Sequence, residues 1–538
     1  MKIALVQFNP VMGAMEENVR AMEGLLRKAE GLGAGIAVFP ELSVTGYPPQ
    51  DLLLHRAFLK AAEKATSRLV KASRRTAVIF GAPLCDDPGR KLRNAAVLAA
   101  GGKILGVSHK CLLPNYDVFD EKRYFQPGVS PRPLCFGGAK LGLHVCEDLW
   151  DASYPLKVAD ELARQGADFF LNISASPFHA HKASLRRALA ARKARRFDRP
   201  FLYLNMAGGQ DEIVFDGASF ALDGRGRLCA QARSFDEDMV LVDTARMRPL
   251  CGMPSMPRAE ELYRALVLGL RDYARKNGFR EAVLGLSGGV DSALVACLAA
   301  DALGPERVTA LMMPTEFTSR MSLEDARAAA ANLGLSYKTW PIGDVVELNS
   351  RRFMETFGPY RHAATAENVQ ARERGKVLMQ FANDRGALLL STGNKTEMAV
   401  GYCTLYGDMA GGLAVISDID KLEVYRLVRW RNRQGRRPVV PERVLRRAPS
   451  AELRPNQKDE DTLPPYKVLV PIANAFIEEG RGLRDITAMG YDRKTVAWVL
   501  NRIRANEFKR WQMPPGLRVT PRAFGIGWRY PITNRFRL

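Results

Sequence analysis

A chain of 538 residues is too long for one ordinary hydrophobic core and predicts two or more domains. Its 47% hydrophobic and 25% charged residues are the proportions of a soluble globular protein. No apolar run reaches the roughly 18 residues of a membrane span, so no membrane partner is expected.

The eight cysteines show no CxxC and no repeated spacing, which argues against a disulfide framework or a structural zinc site. The net charge of +21, from 79 Lys+Arg against 58 Asp+Glu, favours polyanionic partners, either nucleic acid or phosphate-bearing small molecules. The excess of Arg over Lys also fits a high-GC genome, a purely compositional cause.

The opening "MKIALVQFNP" has an apolar stretch of only Ile3 to Val6. That reads as a strand, too short for the apolar region of a signal peptide, and a cytoplasmic location is expected. "KIALVQF", "GIAVFPEL", "TAVIFGAPL", "NAAVLAA", "KLGLHVCEDLW", "ADFFLNISAS" and "PFLYLNMAG" follow as strands. "NVRAMEGLLRKAEGLG" and "SLRRALAARKARRF" read as helices, and the alternation predicts an α/β layered domain over 1–245. The rhythm fades in the proline-rich stretch 243–258, which places a linker at 246–258 and a second domain at 259–538.

The second domain opens on the helix "AEELYRALVLGLRDYARKNG" and the strand "EAVLGLS". "RVTALMMP" and "GALLLSTGN" are further strands between helices, the rhythm of a doubly wound parallel sheet whose ligands lie at the carboxyl ends of its strands. The segment 431–466, rich in Pro, Arg and Asp, predicts a long loop that orders on binding rather than a helix.

At the end of the second domain's first strand stands "LGLSGGVDSALVA", residues 284–296. Gly288 and Gly289 let the backbone approach a ligand, and the following helix offers free N–H groups to an anion. There is no Lys to reach β/γ-phosphates, so this is not a Walker A loop. "GLSGGVDSA" resembles the pyrophosphate loop of the ATP pyrophosphatase superfamily, which cleaves ATP between its α and β phosphates. The resemblance implies ATP binding by Gly285, Leu286, Ser287, Gly288, Gly289, Val290, Asp291 and Ser292, with Asp291 on Mg²⁺. "ENVQARERGKVLMQFAN" (367–383), "STGNKTEMAVGYCTLYGDMAGG" (391–412), "PSAELRPNQKDEDTLPPY" (449–466) and "KRWQMPPGLRVTPRAFG" (509–525) together resemble the NAD⁺ synthetases. That implies contacts of Asn368, Glu397, Asp408 and Lys509 with deamido-NAD⁺, Asp408 at its nicotinate end. It also implies Thr392 on ATP and Glu397 as a second Mg²⁺ ligand, a role that suits a hard oxygen donor.

An amide synthetase needs a nitrogen donor. "VFPELSVTGYPP" sets Glu41 after a strand, "HKCLLPNYDVFDEKRYF" sets Lys110 after another, and "LGLHVCEDLW" sets Cys146 at the end of a third. The order Glu, Lys, Cys in these surroundings resembles the nitrilase superfamily triad. A cysteine is a strong nucleophile once a base takes its proton, Glu41 can serve as that base, and Lys110 brings fixed positive charge to a developing oxyanion. Glu121 falls where that family keeps a supporting carboxylate. Tyr116, Ser176 and Lys182 are implied as the glutamine contacts, although His181 stands where the family usually has Gly before that Lys. No Cys or carboxylate stands close to His179 and His181 in the sequence, and the pair is not read as a metal site. Cys111, Cys135 and Cys229 are read as structural.

The whole resemblance, over about residues 1–525, is to the glutamine-dependent NAD⁺ synthetase family. It implies an α/β chain with an N-terminal nitrilase-like α/β/β/α sandwich and a doubly wound parallel-sheet ATP-pyrophosphatase domain. Its substrates would be glutamine, ATP and deamido-NAD⁺, its cofactor Mg²⁺ and its state a homo-oligomer. One rival keeps the domains but changes the carboxylate acceptor. Another is an RNA-binding, tRNA-modifying ATP pyrophosphatase, whose only support is the charge and whose binding would fall steeply with salt. No basic and aromatic residues interleave as that reading requires, so no nucleic-acid partner is expected.

Overall fold

The computed structural model describes residues 1–85, 92–251 and 256–536. The chain forms two compact units, Met1–Met256 and Pro257–Leu538. Of the expected linker, 252–255 lie outside the described residues.

The first unit runs β1 (Lys2–Gln7), α1 (Met15–Gly31), β2 (Ile36–Val38), α2 (Arg56–Ala72), β3 (Ala77–Leu84), β4 (Arg93–Ala100) and β5 (Lys103–His109). It continues with β6 (Leu134–Phe136), β7 (Ala139–Val145), α3 (Val158–Arg164), β8 (Phe169–Ser174), α4 (Lys182–Phe197) and β9 (Phe201–Asn205). Its last strands are β10 (Ala207–Gln210), β11 (Ile213–Asp216), β12 (Phe220–Leu222), β13 (Leu228–Gln231) and β14 (Asp238–Asp243). Two six-stranded sheets result, in the orders β14-β1-β2-β3-β4-β5 and β13-β12-β9-β8-β7-β6.

The layering follows from the two-residue period of a strand. Along β1, Ile3 and Leu5 join Leu141, Leu143, Leu171 and Leu202 in the apolar layer between the sheets. Ala4 and Val6 point the other way, into the layer beneath α1 and α2. Helix α1 supplies Val19, Met22, Leu26 and Ala29 to that layer from one helical stripe. On the outer face of the second sheet, α3 and α4 pack Leu162, Ala190 and Ala194 against Phe170, Phe201 and Tyr203. The unit is thus an α/β/β/α sandwich.

The second unit begins α5 (Arg258–Lys276), β15 (Ala282–Gly285), α6 (Val290–Leu303), β16 (Val308–Met312), α7 (Arg320–Leu333) and β17 (Ser336–Thr339). Next come α8 (Gly343–Phe357), α9 (Ala364–Arg385), β18 (Leu388–Ser391), α10 (Lys395–Val400), β19 (Leu413–Ala414), α11 (Lys421–Asn432) and α12 (Glu442–Arg446). The sheet order is β17-β16-β15-β18-β19, with every pairing parallel. The chain steps outward from β15 to β17, then returns to β15's other side with β18. That reversal opens a crevice at the carboxyl ends of β15 and β18, where such sheets bind ligands.

Segment 431–466 is not one long loop. It contains the five-residue helix α12 and a single 3₁₀ turn, Asp459–Asp461. Contacts tie it to the rest of the second unit: Arg447 donates to the Gly288 carbonyl at 3.0 Å, and Glu452 accepts from the Ser319 and Ser322 hydroxyls.

Candidate active sites

In the first unit the chain must turn sharply where the buried strand β7 ends. Cys146 takes the turn in the left-handed region, with φ of 43°. Asp148 holds the turn closed. One carboxylate oxygen accepts the Val145 N–H at 3.0 Å, and the other accepts the N–H groups of Cys111 and Leu112 at 2.9 and 2.8 Å. One buried carboxylate thereby ties the Cys146 turn to the segment that follows Lys110. The sequence reading gave Asp148 no role, although it stands inside the quoted CEDLW.

Lys110 is fully buried, with its Nζ 2.7 Å from Glu41 Oε1 and 2.7 Å from Glu121 Oε1. Glu41 also accepts from Asn94 Nδ2 and from the Ala175 N–H, both at 2.8 Å, and Tyr47 donates to Glu121 at 2.8 Å. Burial opposes the ammonium charge, but Glu121, Glu41 and Cys146 outweigh it and hold Lys110 well above the ordinary lysine range. Burial pushes the Cys146 thiol up, and Glu41 adds to this against the pull of Lys110. The resting cysteine is therefore a neutral thiol whose proton needs an acceptor.

The glutamine candidates fall into two groups. Tyr116 donates to both oxygens of Glu147 at 3.1 Å, and Tyr154 donates to the same carboxylate at 3.0 Å. The Lys182 ammonium lies 5.7 Å from the Trp150 ring centroid and its charge reaches Glu147. Ser176 is clamped by Asn205, which accepts its N–H at 2.8 Å and donates to its carbonyl at 3.2 Å. Through the adjoining Ala175 N–H, this second group reaches Glu41. His181 has φ of 69° at the N-cap of α4. A left-handed backbone at this position is why glycine suits it, and here histidine adopts the same turn. Glu147, buried and next to Cys146, was missed in sequence because one acid in an acidic string carries no pattern.

In the second unit, "SGGVDS" closes on itself. Ser292 donates to the Gly289 carbonyl at 3.1 Å, the two serine hydroxyls lie 3.2 Å apart, and Gly289 N–H donates to Ser287 Oγ at 3.3 Å. Gly288 has φ of 80°, and a Cβ there would lie 2.4 Å from the Ser322 carbonyl oxygen. Only glycine lets this loop pack on the first turn of α7. A cavity of about 280 Å³ opens over the loop, lined by Gly285, Leu286, Ser287, Gly289, Val290, Asp291 and Ser292. Thr392, Glu397 and Asp408 line it as well, whereas Gly288 packs behind it.

Asp291 and Glu397 reach the same cation. Lys421 Nζ lies 2.5 Å from Asp291 Oδ2 and 3.2 Å from Glu397 Oε1, and Asn394 donates to Asp291 Oδ1 at 2.9 Å. Glu397 is also fixed by a reciprocal cap with Asn394 at the start of α10. Burial lifts the Glu397 carboxyl and Asp291 lifts it further, against Lys421. Asp291 and Glu397 are hard oxygen donors of the kind Mg²⁺ takes, and the Lys421 ammonium lies between them. Lys421 was not singled out from the sequence, where it stands in an ordinary helix start, "SDIDK".

Asn368 and Lys509 are not among the cavity-lining residues. Asn368 accepts from Thr404 Oγ1 at 2.8 Å, and the Thr404 N–H donates to Asp408 at 2.6 Å. Lys509 donates to the Gly401 and Cys403 carbonyls at 2.8 and 2.7 Å. Both thus hold the 401–408 segment that presents Asp408.

The two units define a nitrilase-like hydrolase joined to a nucleotide-binding unit of the ATP-pyrophosphatase kind. A family model for Carbon-nitrogen hydrolase matches residues 2–248, and one for NAD synthase matches 262–514. The chain is 42% identical over 553 residues to a glutamine-dependent NAD(+) synthetase of Synechocystis sp., covering 99% of each. It is 41% identical to that of Thermotoga maritima, covering 100% of this chain and 99% of the relative. The solved glutamine-dependent NAD⁺ synthetase of Acinetobacter baumannii in complex with ADP matches with a TM-score of 0.80 and 39% identity, over 99% of this chain and 98% of that one. The chain belongs to the glutamine-dependent NAD⁺ synthetase family, and it is a ligase.

Proposed function

We propose that the protein amidates deamido-NAD⁺ to NAD⁺, with ammonia taken from glutamine and ATP cleaved to AMP and pyrophosphate. One observation carries this reading: a single chain holds both a buried Glu–Lys–Glu cluster beside a cysteine turn and a glycine loop beside two carboxylates that share a cation. The first makes ammonia, and the second spends ATP to use it.

At the first site Cys146 Sγ attacks the glutamine carboxamide carbon while Glu41 takes the thiol proton. Lys110 places its charge beside the oxyanion. Glu41 returns the proton to the leaving nitrogen, and ammonia departs. A water then gives up a proton to Glu41, attacks the thioester and releases glutamate, leaving the thiol restored. Tyr116, Glu147 and Lys182 suit the charged ends of glutamine, and Ser176 lies on the segment that braces Glu41.

At the second site the nicotinate carboxylate oxygen attacks the α-phosphorus of ATP, and the bond to pyrophosphate breaks. Residues 285–292 and Thr392 cradle ATP, and Asn368, Glu397, Asp408 and Lys509 hold deamido-NAD⁺ or the loop that meets it. Mg²⁺ on Asp291 and Glu397 would neutralise phosphate charge and favour pyrophosphate as leaving group. Among the described residues no group of three or more His, Cys, Asp or Glu forms a metal site, so phosphate and water would complete its shell. Ammonia then attacks the acyl carbon, AMP leaves with its electron pair, and loss of a proton gives the amide.

No helix among the described residues is long and apolar enough to cross a membrane. A cytoplasmic location and a homo-oligomeric state belong to the same reading, and sedimentation of the purified chain tests the second. The function itself is tested by incubating the protein with ATP, Mg²⁺, glutamine and deamido-NAD⁺. NAD⁺, glutamate, AMP and pyrophosphate should form in equal amounts. Stoichiometric ADP in the phosphorus NMR spectrum overturns the adenylation step.

A further inference from the structure

Three cationic side chains line the nucleotide cavity: Arg374, Lys421 and Arg447. Two of them are engaged by the chain. Lys421 sits between Asp291 and Glu397. Arg447 donates to Ser322 Oγ at 2.7 Å and to the Gly288 carbonyl, and lies 3.7 Å from Glu452. Arg374 differs. Its Nε donates to the Met313 carbonyl at 3.1 Å, and among the described residues no carboxylate lies within ion-pair distance. The acid whose charge it feels, Glu452, is itself held by the Ser319 and Ser322 hydroxyls at 2.9 and 2.8 Å.

The placement of Arg374 is set by its helix. Ala371, Arg374, Gly375 and Leu378 form one stripe of α9, at spacings of three and four residues, and all four line the cavity. The stripe packs tightly on the loop that carries Asp408: a Cβ on Gly375 would lie 2.8 Å from the Tyr406 carbonyl oxygen. Arg374 is the one charged group on this stripe. Burial lowers its affinity for its own proton, to a pKa of about 10, and the charge of Glu452 offsets this only in part. A guanidinium with five N–H donors, one of them used among the described residues, is a poor structural element in a cavity wall. Its planar fork matches phosphate oxygens in a two-point contact.

We propose that Arg374 is a phosphate-binding residue of the second unit, pairing with a phosphate group of a nucleotide substrate. The proposal rests on the reading of this cavity as the place where ATP and deamido-NAD⁺ meet. Both carry phosphate, and the kinetics distinguish them. Arg374→Met keeps the length of the stem and removes the charge. Ammonium chloride as nitrogen donor confines the assay to the second site. The KM for ATP and the KM for deamido-NAD⁺ are each measured with the other substrate saturating.

A charge-assisted contact of about 1.5–3 kcal/mol corresponds to a rise of about 10–100-fold in the KM of the nucleotide it holds. The nucleotide whose KM rises names the phosphate. Guanidinium ion added to Arg374→Ala should restore part of the loss, which a purely structural role would not allow. Arg374→Lys keeps a charge without the fork, and it should raise the same KM to a smaller extent. It also serves if Arg374→Met does not fold. KM values for both nucleotides within about threefold of wild type overturn the proposal. So does a uniform loss of active enzyme with unchanged KM and no response to guanidinium. A wild-type chain that makes no NAD⁺ overturns the underlying functional reading instead, and the control reports that separately.

Discussion

Lys110 and His144 are both fully buried bases in the first unit, and their neighbours give them opposite fates. Two carboxylates at 2.7 Å keep Lys110 charged. His144 has no such partner. Its Nδ1 lies 3.0 Å from the Gly142 carbonyl, its Nε2 has no hydrogen-bond partner among the described residues, and Phe170 and Phe201 meet it edge-on. Burial pushes it down to about 4 from 6.5. Between those two pH values the unfolded chain binds a proton that the folded chain refuses, so stability is present above pH 6.5 and is lost as pH falls towards 4. The contribution over that window is about 3 kcal/mol. His144→Phe should remove this acid sensitivity while keeping the ring packing. Tm of the first unit, followed from pH 7 to pH 4 by calorimetry, should fall less steeply in His144→Phe than in wild type. Parallel curves count against a neutral buried imidazole.

At the scale of elements, the turn between β15 and α6 depends on one missing side chain. Gly288→Ala would set a methyl 2.4 Å from a backbone carbonyl oxygen, at φ of 80°, where an L side chain is strained. The loop must shift, and NAD⁺ synthesis should fall at least about 100-fold with either glutamine or ammonium, the scale of losing positioning at the reacting phosphate. Glutamine hydrolysis should persist. Near-normal NAD⁺ synthesis by Gly288→Ala would show that the loop tolerates a Cβ. The same loop shows what a sequence makes legible. Its strand, glycines and helix are consecutive, so local pattern gave the parallel sheet and its ligand edge. The strands around Glu41 and Cys146 were legible for the same reason. Strands β11 to β13 and β17 went unread because three- and four-residue strands leave too few positions to display a period; α2, β5 and β14 also went unread, although they are long enough to display one. Asp148, Glu147 and Lys421 went unread because their partners are distant in the chain: the Lys421–Asp291 contact spans 130 residues. Such contacts exist only once the sheets assemble.

At the scale of the whole chain, the two sites divide the labour. In the proposed function, Cys146 serves only to release ammonia, and the second site consumes ammonia from any source that reaches it. Cys146→Ala should therefore lose all glutamine-dependent synthesis while keeping synthesis from ammonium chloride. The thiol is neutral at rest, so the substitution removes a nucleophile without removing a charge. Its stability cost is on the order of 1 kcal/mol. Glu41→Gln should share the phenotype, since a thiol held above its ordinary range cannot attack without a base. Lys110→Ala should lose glutamine use too, but at a further cost in stability of about 3–5 kcal/mol, because Glu41 and Glu121 would face each other without their shared cation. Synthesis of NAD⁺ at saturating ATP and deamido-NAD⁺, with each nitrogen source in turn, makes the comparison. Wild-type use of glutamine by Cys146→Ala would remove the cysteine from the reaction. Loss of ammonium-dependent synthesis in a folded Cys146→Ala would mean instead that the second site works only when the first is intact.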